Sequence, residues 1–353
     1  MKILDCTLRD GGYTNNWNFT KEQVMESYIA CKNAGVKYCE LGFRRSKPEE
    51  GFGVWYHTPE TLINDTLGNI ISDDTKIAVM AQMGTFTSDD FVPKKDSLVS
   101  MVRILIAYHC VNKDDSVLNV ELIKETCGMV TKLKELGYEV TVNVGRIDKM
   151  SDKQIEQMCK LISECKPTYF YIADTYGNLG IMKMNYILDI IKKNYTGKIG
   201  FHAHDNLLNA TVKSIDSYYN GVSIVDGTMG GIGRGSGNAK TELLIAHSIM
   251  KNKEGYDLLP VLEYCEKWIS SYKNNHVLYF ITGMYSMHVN YAITLIEKYD
   301  FKFSKCYNVL MHVYKNNKHN FFDVKYLQSV CDLFRYTIIN LNRLTSDTII
   351  VKT

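Results

Sequence analysis

Eight short runs of apolar or alternating residues punctuate the first 230 positions: "KILDCTL", "YCELGF", "IAVMAQM", "MVRILIAY", "EVTVNV", "YFYIADT", "IGFHAHD" and "VSIVDGT". Runs of this length bounded by glycine or polar clusters predict β-strands. Every run but the last is followed by a stretch of helical character, among them residues 20–34, 120–136, 151–164 and 182–193. Ser151 with Gln154 three positions on spells a capping box, and Gly35 and Gly137 stand where helices end. Strand and helix therefore alternate. Eight units in about 250 residues predict a closed (β/α)8 barrel of the TIM type, in the α/β class, whereas doubly wound sheets usually stop at about five to seven strands. After Lys240 the pattern turns helical, with apolar periodicity over 242–250, 258–272 and 285–298. The chain thus divides into a barrel catalytic domain over 1–250 and a C-terminal helical extension over 251–353.

Composition narrows the class. At 353 residues, 45% apolar and 23% charged, with five prolines and no Ser/Gly tract, the chain has the make-up of a compact globular enzyme without a disordered linker. A net charge of +2 and scattered lysines give no footprint for nucleic acid, so the expected partner is a small molecule. The ten cysteines form no C-x-x-C pair and read as reduced, buried thiols. No apolar stretch is long enough to span a membrane, and "MKILDCTLRD" has no apolar leader core, so the expected location is cytoplasmic.

Three features carry chemistry. In "GFHAHDNLLNA" His202 and His204 lie at i and i+2, so an extended strand points both imidazoles to one face. The first run ends in "TLRDGGY", which places Arg9 and Asp10 at the end of strand one, the barrel mouth. Only strand eight separates strands one and seven, so Asp10, His202 and His204 can converge on a divalent metal ion and leave positions open for substrate. Standing alone, Asp10 before two glycines is a turn aspartate and a strand histidine is a hydrogen-bonded core residue; their meeting at one barrel face favours the metal site. A strand that aims His202 and His204 inward aims Asp205 away, and Asp205 and Asn206 read as orienting or capping groups. The third feature, "DGTMGGIGRGSGN", fits neither the P-loop nor the G-x-G-x-x-G template. A Gly-rich loop after the last strand either binds a carboxylate or phosphate through backbone N–H groups, with Gly233 and Gly235 as candidates, or only permits a tight crossover.

Together "LDCTLRDGGY", "ELGF", "ADTYG", "GFHAHDN" and "GGIGRGSGNAKTE" resemble the metal-dependent barrel lyases that include 4-hydroxy-2-oxovalerate aldolase, 3-hydroxy-3-methylglutaryl-CoA lyase and isopropylmalate synthase. The resemblance spans roughly residues 1–250. The synthases carry H-x-H-N-D, the CoA lyases H-x-H-D-T and the aldolases G-x-H-x-H-x-N-L; "GFHAHDNL" is similar to the last. The resemblance implies that Asp10, His202 and His204 bind a divalent metal, Mn2+ or Mg2+, and that Asn238 also reaches it. It implies that Arg9 stabilises an enolate, that Glu40 on strand two pairs with and orients Arg9, and that Thr175 contacts substrate. "GMYSMH" is similar to an aldolase segment whose tyrosine enters the active site, which nominates Tyr285 and, behind it, His288. In aldolase relatives the helical extension docks a dehydrogenase; here the resemblance fades after about residue 295, and the apolar helix faces point to a homo-oligomer.

The expected activity is a class II aldolase acting on a 4-hydroxy-2-oxo acid through a pyruvate-type enolate, with an aldehyde as the second small molecule. The aldolases place a histidine shortly after the R-D-G turn as the proposed base, whereas here Gly12 and Tyr13 occupy that turn. Tyr13, with an ordinary phenol pKa of about 10, and a metal-bound hydroxide are the two candidates. The changed turn also suggests a different aldehyde half, with a sugar-derived or polar aldehyde as one idea. A Claisen-type lyase or synthase using an acyl-CoA, and a barrel that binds without turnover, are the alternatives.

Overall fold

The computed structural model describes residues 1–106, 117–252, 255–269, 277–278, 281–282, 285, 287–319 and 321–346, the side chains of 252 and 336–346 excepted. Eight parallel strands close into one barrel in chain order: β1 Lys2–Asp5, β2 Tyr38–Phe43, β3 Lys76–Gln82, β4 Val99–Ile106, β5 Glu139–Val144, β6 Tyr169–Asp174, β7 Ile199–Ala203 and β8 Ile224–Gly227. β8 returns to β1, with Ile3 opposite Val225, so the expected closure is present. The strands read as nearly continuous apolar runs because helices cover the outside while side chains fill the inside; β2 and β6 are buried at every position. The last two residues of the predicted "MVRILIAY" run, and Cys110, lie outside the described residues.

The outer ring comprises α2 Lys21–Asn33, α3 Glu60–Leu67, α4 Val120–Glu135, α5 Asp152–Cys165, α6 Ile181–Asn194, α7 Ala210–Tyr219 and α8 Thr241–Asn252. The Ser151–Gln154 capping box opens α5 as its sequence predicts, and Thr20 with Gln23 makes a second at α2. Two expectations are corrected. No helix joins β3 to β4: only short 3-10 turns at Ser88–Asp90 and Lys94–Asp96 lie there, in a polar segment interrupted by Pro93. Strand one also stops early, at Asp5, because the Thr7 N–H donates to Asp5 Oδ1 and bends the chain into a single helical turn, α1 Thr7–Asp10.

Beyond Asn252 the described residues are mainly helical, as expected. Helix α9, Leu259–Trp268, packs on α2, where the Trp268 indole N–H donates to Glu26 and Lys267 pairs with Glu22 and Glu26. Helices Asn290–Lys298, Phe303–Lys315 and Val324–Ser346 follow, the last two in a stretch for which the sequence pattern predicted no particular element. No described helix is long and apolar enough to cross a membrane. The nine described cysteines are free thiols, eight of them buried.

Inside the barrel the two-residue period stacks layers. Leu4, Tyr38, Ala78, Met101, Tyr169 and Ile224 fill an apolar lower layer. Two residues further along their strands stand Glu40, Met80, Arg103, Tyr171 and Asp226, and β7 contributes His202 after Gly200. A β-carbon at Gly200 would lie 2.5 Å from the Tyr171 ring, so glycine is required there. The interior thus changes from apolar to charged on approaching the mouth.

Candidate active site

At the mouth lies a cavity of about 120 Å³, lined by Arg9, Asp10 and Tyr13 from the β1 turn, by His202 and His204, by Thr175, Gln82 and Asn143, and by Arg234. The members come from the C-terminal ends of different strands, the position where this fold places its chemistry. Asp10, His202 and His204 bring one potential ligand atom each to within 4.8 Å of one another. Their imidazole centroids are 5.1 Å apart and perpendicular, and His202 Nε2 lies 3.6 Å from Asp10 Oδ2. The turn at Thr7–Asp10 delivers Arg9 and Asp10, which corrects their expected place at a strand end.

A closed ring of charges holds these groups. Arg9 Nη1 pairs with Asp10, and Arg9 Nε donates to Glu40 Oε2 at 2.8 Å. Glu40 Oε2 also accepts from Arg103 Nη1 at 2.9 Å, Arg103 Nη2 donates to Asp226 Oδ2 at 2.5 Å, and that oxygen meets His202 Nδ1 at 3.0 Å. His202 Nε2 then faces Asp10 and completes the ring. Every member is buried, and the Arg103 guanidinium also stacks over Tyr171, 4.4 Å from its centroid. Buried charges need such pairing, because an unpaired one is expensive to desolvate.

The residues fit a divalent cation. His202 Nδ1 is occupied by Asp226 and His204 Nδ1 lies 3.2 Å from Gly237 O, which leaves both Nε2 atoms for an ion, and the carboxylate behind His202 raises its basicity. With neutral imidazoles the ring holds two guanidiniums and three carboxylates, so added positive charge is favoured. Asn238 donates through Nδ2 to Asp10 Oδ1 at 3.0 Å, while its buried Oδ1 has no hydrogen-bond partner. Gly233 is the floor of this corner: a β-carbon there would stand 2.0 Å from Asn238 Nδ2 and 2.7 Å from Asp10 Oδ1. Burial tends to raise the Asp10 carboxyl, but Arg9 and the two histidines hold it well below the usual range. Burial lowers His204 to about 4, keeping it neutral and able to ligate. Burial also opposes charge on His202, but its hydrogen bonds to Asp10 and Asp226 raise it. A second cluster, Cys6 with His202 and Asp226, is less suited: burial pushes the thiol up and Cys6 Sγ donates to Gly227 O.

Thr175 lines the cavity and its Oγ1 accepts the Arg146 N–H at 3.0 Å. Tyr13 also lines it, edge-on to Trp17, but burial and then Asp10 push the phenol above its ordinary value, opposite to what a base requires. Asp205 caps α7 by accepting the Ala210 N–H, and Asn206 is exposed. Much of the Gly-rich backbone is already engaged: the N–H groups of Gly230, Gly231, Arg234, Gly237 and Asn238 donate within the protein. Gly233 sits below the metal corner, and Gly235, in the left-handed region at φ 63°, does not line the cavity. Tyr285 packs against Tyr314 in the helical extension, ring centroids 4.5 Å apart, and is not among the described lining residues of the cavity; His288 is exposed beside Phe322.

Arg103, Asp226 and Arg234 were missed by sequence reasoning. A lone charge inside each of the apolar runs "MVRILI" and "VSIVDG" is the signal that could have found the first two, since a charge in a barrel strand must meet a partner.

The HMGL-like family model matches residues 1–264. A 4-hydroxy-2-oxovalerate aldolase of Geobacillus genomosp. 3 is 28% identical over 309 residues, covering 85% of this chain and 88% of that one. 4-Hydroxy-2-oxovalerate aldolase 6 of Rhodococcus jostii (strain RHA1) is 25% identical over 309 residues, with coverage of 85% and 84%. The fold is similar to that of hydroxymethylglutaryl-CoA lyase from Pseudomonas aeruginosa, with a TM-score of 0.63 at 13% identity over 80% of this chain and 97% of that one.

Proposed function

The chain belongs to the HMGL-like family, and from that premise we propose that it is a divalent-metal-dependent aldolase, a carbon–carbon lyase that cleaves or forms a 4-hydroxy-2-oxo acid through a pyruvate-type enolate. The observation that carries this reading is the convergence of Asp10, His202 and His204 beside the Arg9 guanidinium in one cavity. The relatives named 4-hydroxy-2-oxovalerate aldolase support the aldol reaction over acyl-CoA chemistry.

Asp10, His202 and His204, with Asn238 Oδ1 beside them, would hold Mn2+ or Mg2+, which when bound supplies Lewis-acid polarisation of the 2-oxo group. Arg9, fixed by Glu40 and Asp10, keeps further N–H groups for the oxygen on which charge collects as the C3–C4 bond breaks. Cleavage releases the 4-hydroxyl proton, the C3–C4 electron pair enters the enolate, and protonation at C3 gives pyruvate beside the aldehyde. Thr175 orients substrate from the β6 end of the cavity. Tyr13, with its proton firmly held, covers the mouth or donates a proton rather than taking one.

The test is a panel of 4-hydroxy-2-oxo acids supplied with Mn2+, with pyruvate detected through a coupled lactate dehydrogenase, run beside a thiol-release assay with acetyl-CoA and 2-oxo acids. Metal-dependent pyruvate release is expected. Thiol release without pyruvate formation would replace this reading with the acyl-CoA one.

A further inference from the structure

Two amides stand near the C-terminal ends of otherwise apolar strands: Gln82 closes β3, KIAVMAQ, and Asn143 is the last residue but one of β5, EVTVNV. The two-residue period of a strand turns both into the mouth, where they line the cavity. In register Gln82 stands beside Leu105 of β4, and Leu105 beside Asn143, so the amides flank a leucine two strand spacings, about 9–10 Å, apart at the backbone. Closure in chain order sets β3, β4 and β5 opposite β7, β8 and β1. The space between is therefore two-sided. Arg9, Asp10, His202, His204 and Arg234 reach it from β1, β7 and β8 and the turns that follow them, and the wall across from them carries no charged side chain among the described residues.

Neither amide is used up by the fold. Asn143 is 2% exposed, and its Oδ1 accepts the Thr141 hydroxyl at 2.6 Å, which leaves Nδ2 as a donor with no partner among the described residues. The backbone oxygen of Gln82 accepts from Thr85, whereas its side-chain amide, donor and acceptor in one group, meets no described residue. A polar group withdrawn from water without a partner is costly, and packing alone would be served by an apolar residue such as Leu105 between them. A 2-oxo acid held by its carboxylate and keto oxygen at the charged side has the rest of its chain to place against this uncharged wall. An apolar chain would leave both amides unpaired, and an anionic one would find no described cation there. A hydroxyl group, which both donates and accepts, satisfies either amide.

Resting on the aldolase reading, we propose that Gln82 and Asn143 bind hydroxyl groups on the aldehyde half, so that the substrate is a 4-hydroxy-2-oxo acid whose aldehyde fragment is an uncharged hydroxyaldehyde. In the addition direction the pyruvate methyl group gives up a proton, C3 bonds to the aldehyde carbon, and the aldehyde oxygen takes up a proton as the 4-hydroxyl. The test measures kcat/KM for addition of pyruvate to glyceraldehyde, propionaldehyde and glyceraldehyde 3-phosphate by metal-loaded wild type, Gln82→Leu and Asn143→Leu. Wild type should favour glyceraldehyde over propionaldehyde by about a hundredfold or more, and should also favour it over the phosphate. Each leucine variant should lower the ratio of glyceraldehyde to propionaldehyde by about tenfold or more. A general loss of activity acts on both aldehydes alike, as does their intrinsic reactivity on every variant, so a change in that ratio reports hydroxyl recognition. Deuterium exchange into the methyl group of pyruvate by the wild-type protein reports on the aldolase reading separately. Exchange without a preference for glyceraldehyde over both other aldehydes overturns this proposal and leaves that reading standing; absence of exchange removes both. A preference that both leucine variants retain also overturns the proposal.

Discussion

Replacing Arg103 with methionine tests whether the buried ring, and not the ligands alone, sets metal affinity. Arg103 touches no cavity surface, yet it holds Glu40 at 2.9 Å and Asp226 at 2.5 Å, the two carboxylates that position Arg9 and His202. Without the guanidinium, Asp226 is a buried carboxylate facing an imidazole alone, and a proton taken up by either group weakens the hold on His202. Loss of an outer partner of a metal-binding histidine typically costs about 10–100-fold in metal affinity, or about 1.4–2.7 kcal/mol. Breaking a buried ion pair costs about 3–5 kcal/mol of stability, so Tm should fall as well. Mn2+ binding followed by electron paramagnetic resonance at neutral pH, with circular dichroism to verify the fold, reads both effects. Arg103→Lys keeps the charge but cannot span both carboxylates with a planar fork, so its affinity should lie between the two. A folded Arg103→Met protein that binds Mn2+ within twofold of wild type would refute the reasoning.

Three further outcomes follow from the same geometry. His202 must be neutral to ligate, and hydrogen bonds to Asp10 and Asp226 raise its pKa above 6.5 against the effect of burial; metal affinity should therefore climb roughly tenfold per pH unit below that pKa and level off above it. Isothermal titration from pH 6 to 8.5 checks this, and a flat profile contradicts it. Burial pushes Glu242 from 4.5 up to about 7, so it contributes stability that is full below pH 4.5 and is lost as pH rises to about 7, at most about 3 kcal/mol; Glu242→Gln should flatten that slope in denaturant melts, and an unchanged slope would assign it elsewhere. Gly233→Ala would drive a methyl to 2.0 Å from Asn238 Nδ2, so metal content and turnover should fall at least tenfold with little change in the far-ultraviolet spectrum; a fully loaded, active variant would show that the corner can relax.

What the sequence makes legible is whatever local pattern encodes. The apolar runs place all eight strands, Ser151 and Gln154 mark the start of α5, and the i, i+2 spacing of His202 and His204 aims both rings inward. The early end of β1 escapes such reading because Asp5 captures the Thr7 N–H, a local competition that "KILDCTL" does not reveal. The charge ring escapes for the opposite reason: Arg103 meets Glu40 across 63 positions and Asp226 across 123, and only closure of the barrel brings them together. Tyr285 was nominated through a similarity of sequence, and its packing on Tyr314 is set by how the extension folds back.

The most direct test of the central claim is deuterium exchange into the methyl group of pyruvate, followed by proton magnetic resonance on metal-loaded wild type, chelator-stripped wild type and His202→Ala, with metal content measured on each. The enolate-forming site predicts close to one Mn2+ or Mg2+ per loaded chain and rapid exchange that disappears with the metal in both controls. Exchange that persists at full rate in His202→Ala, or a loaded wild-type protein that exchanges no faster than buffer, would contradict it.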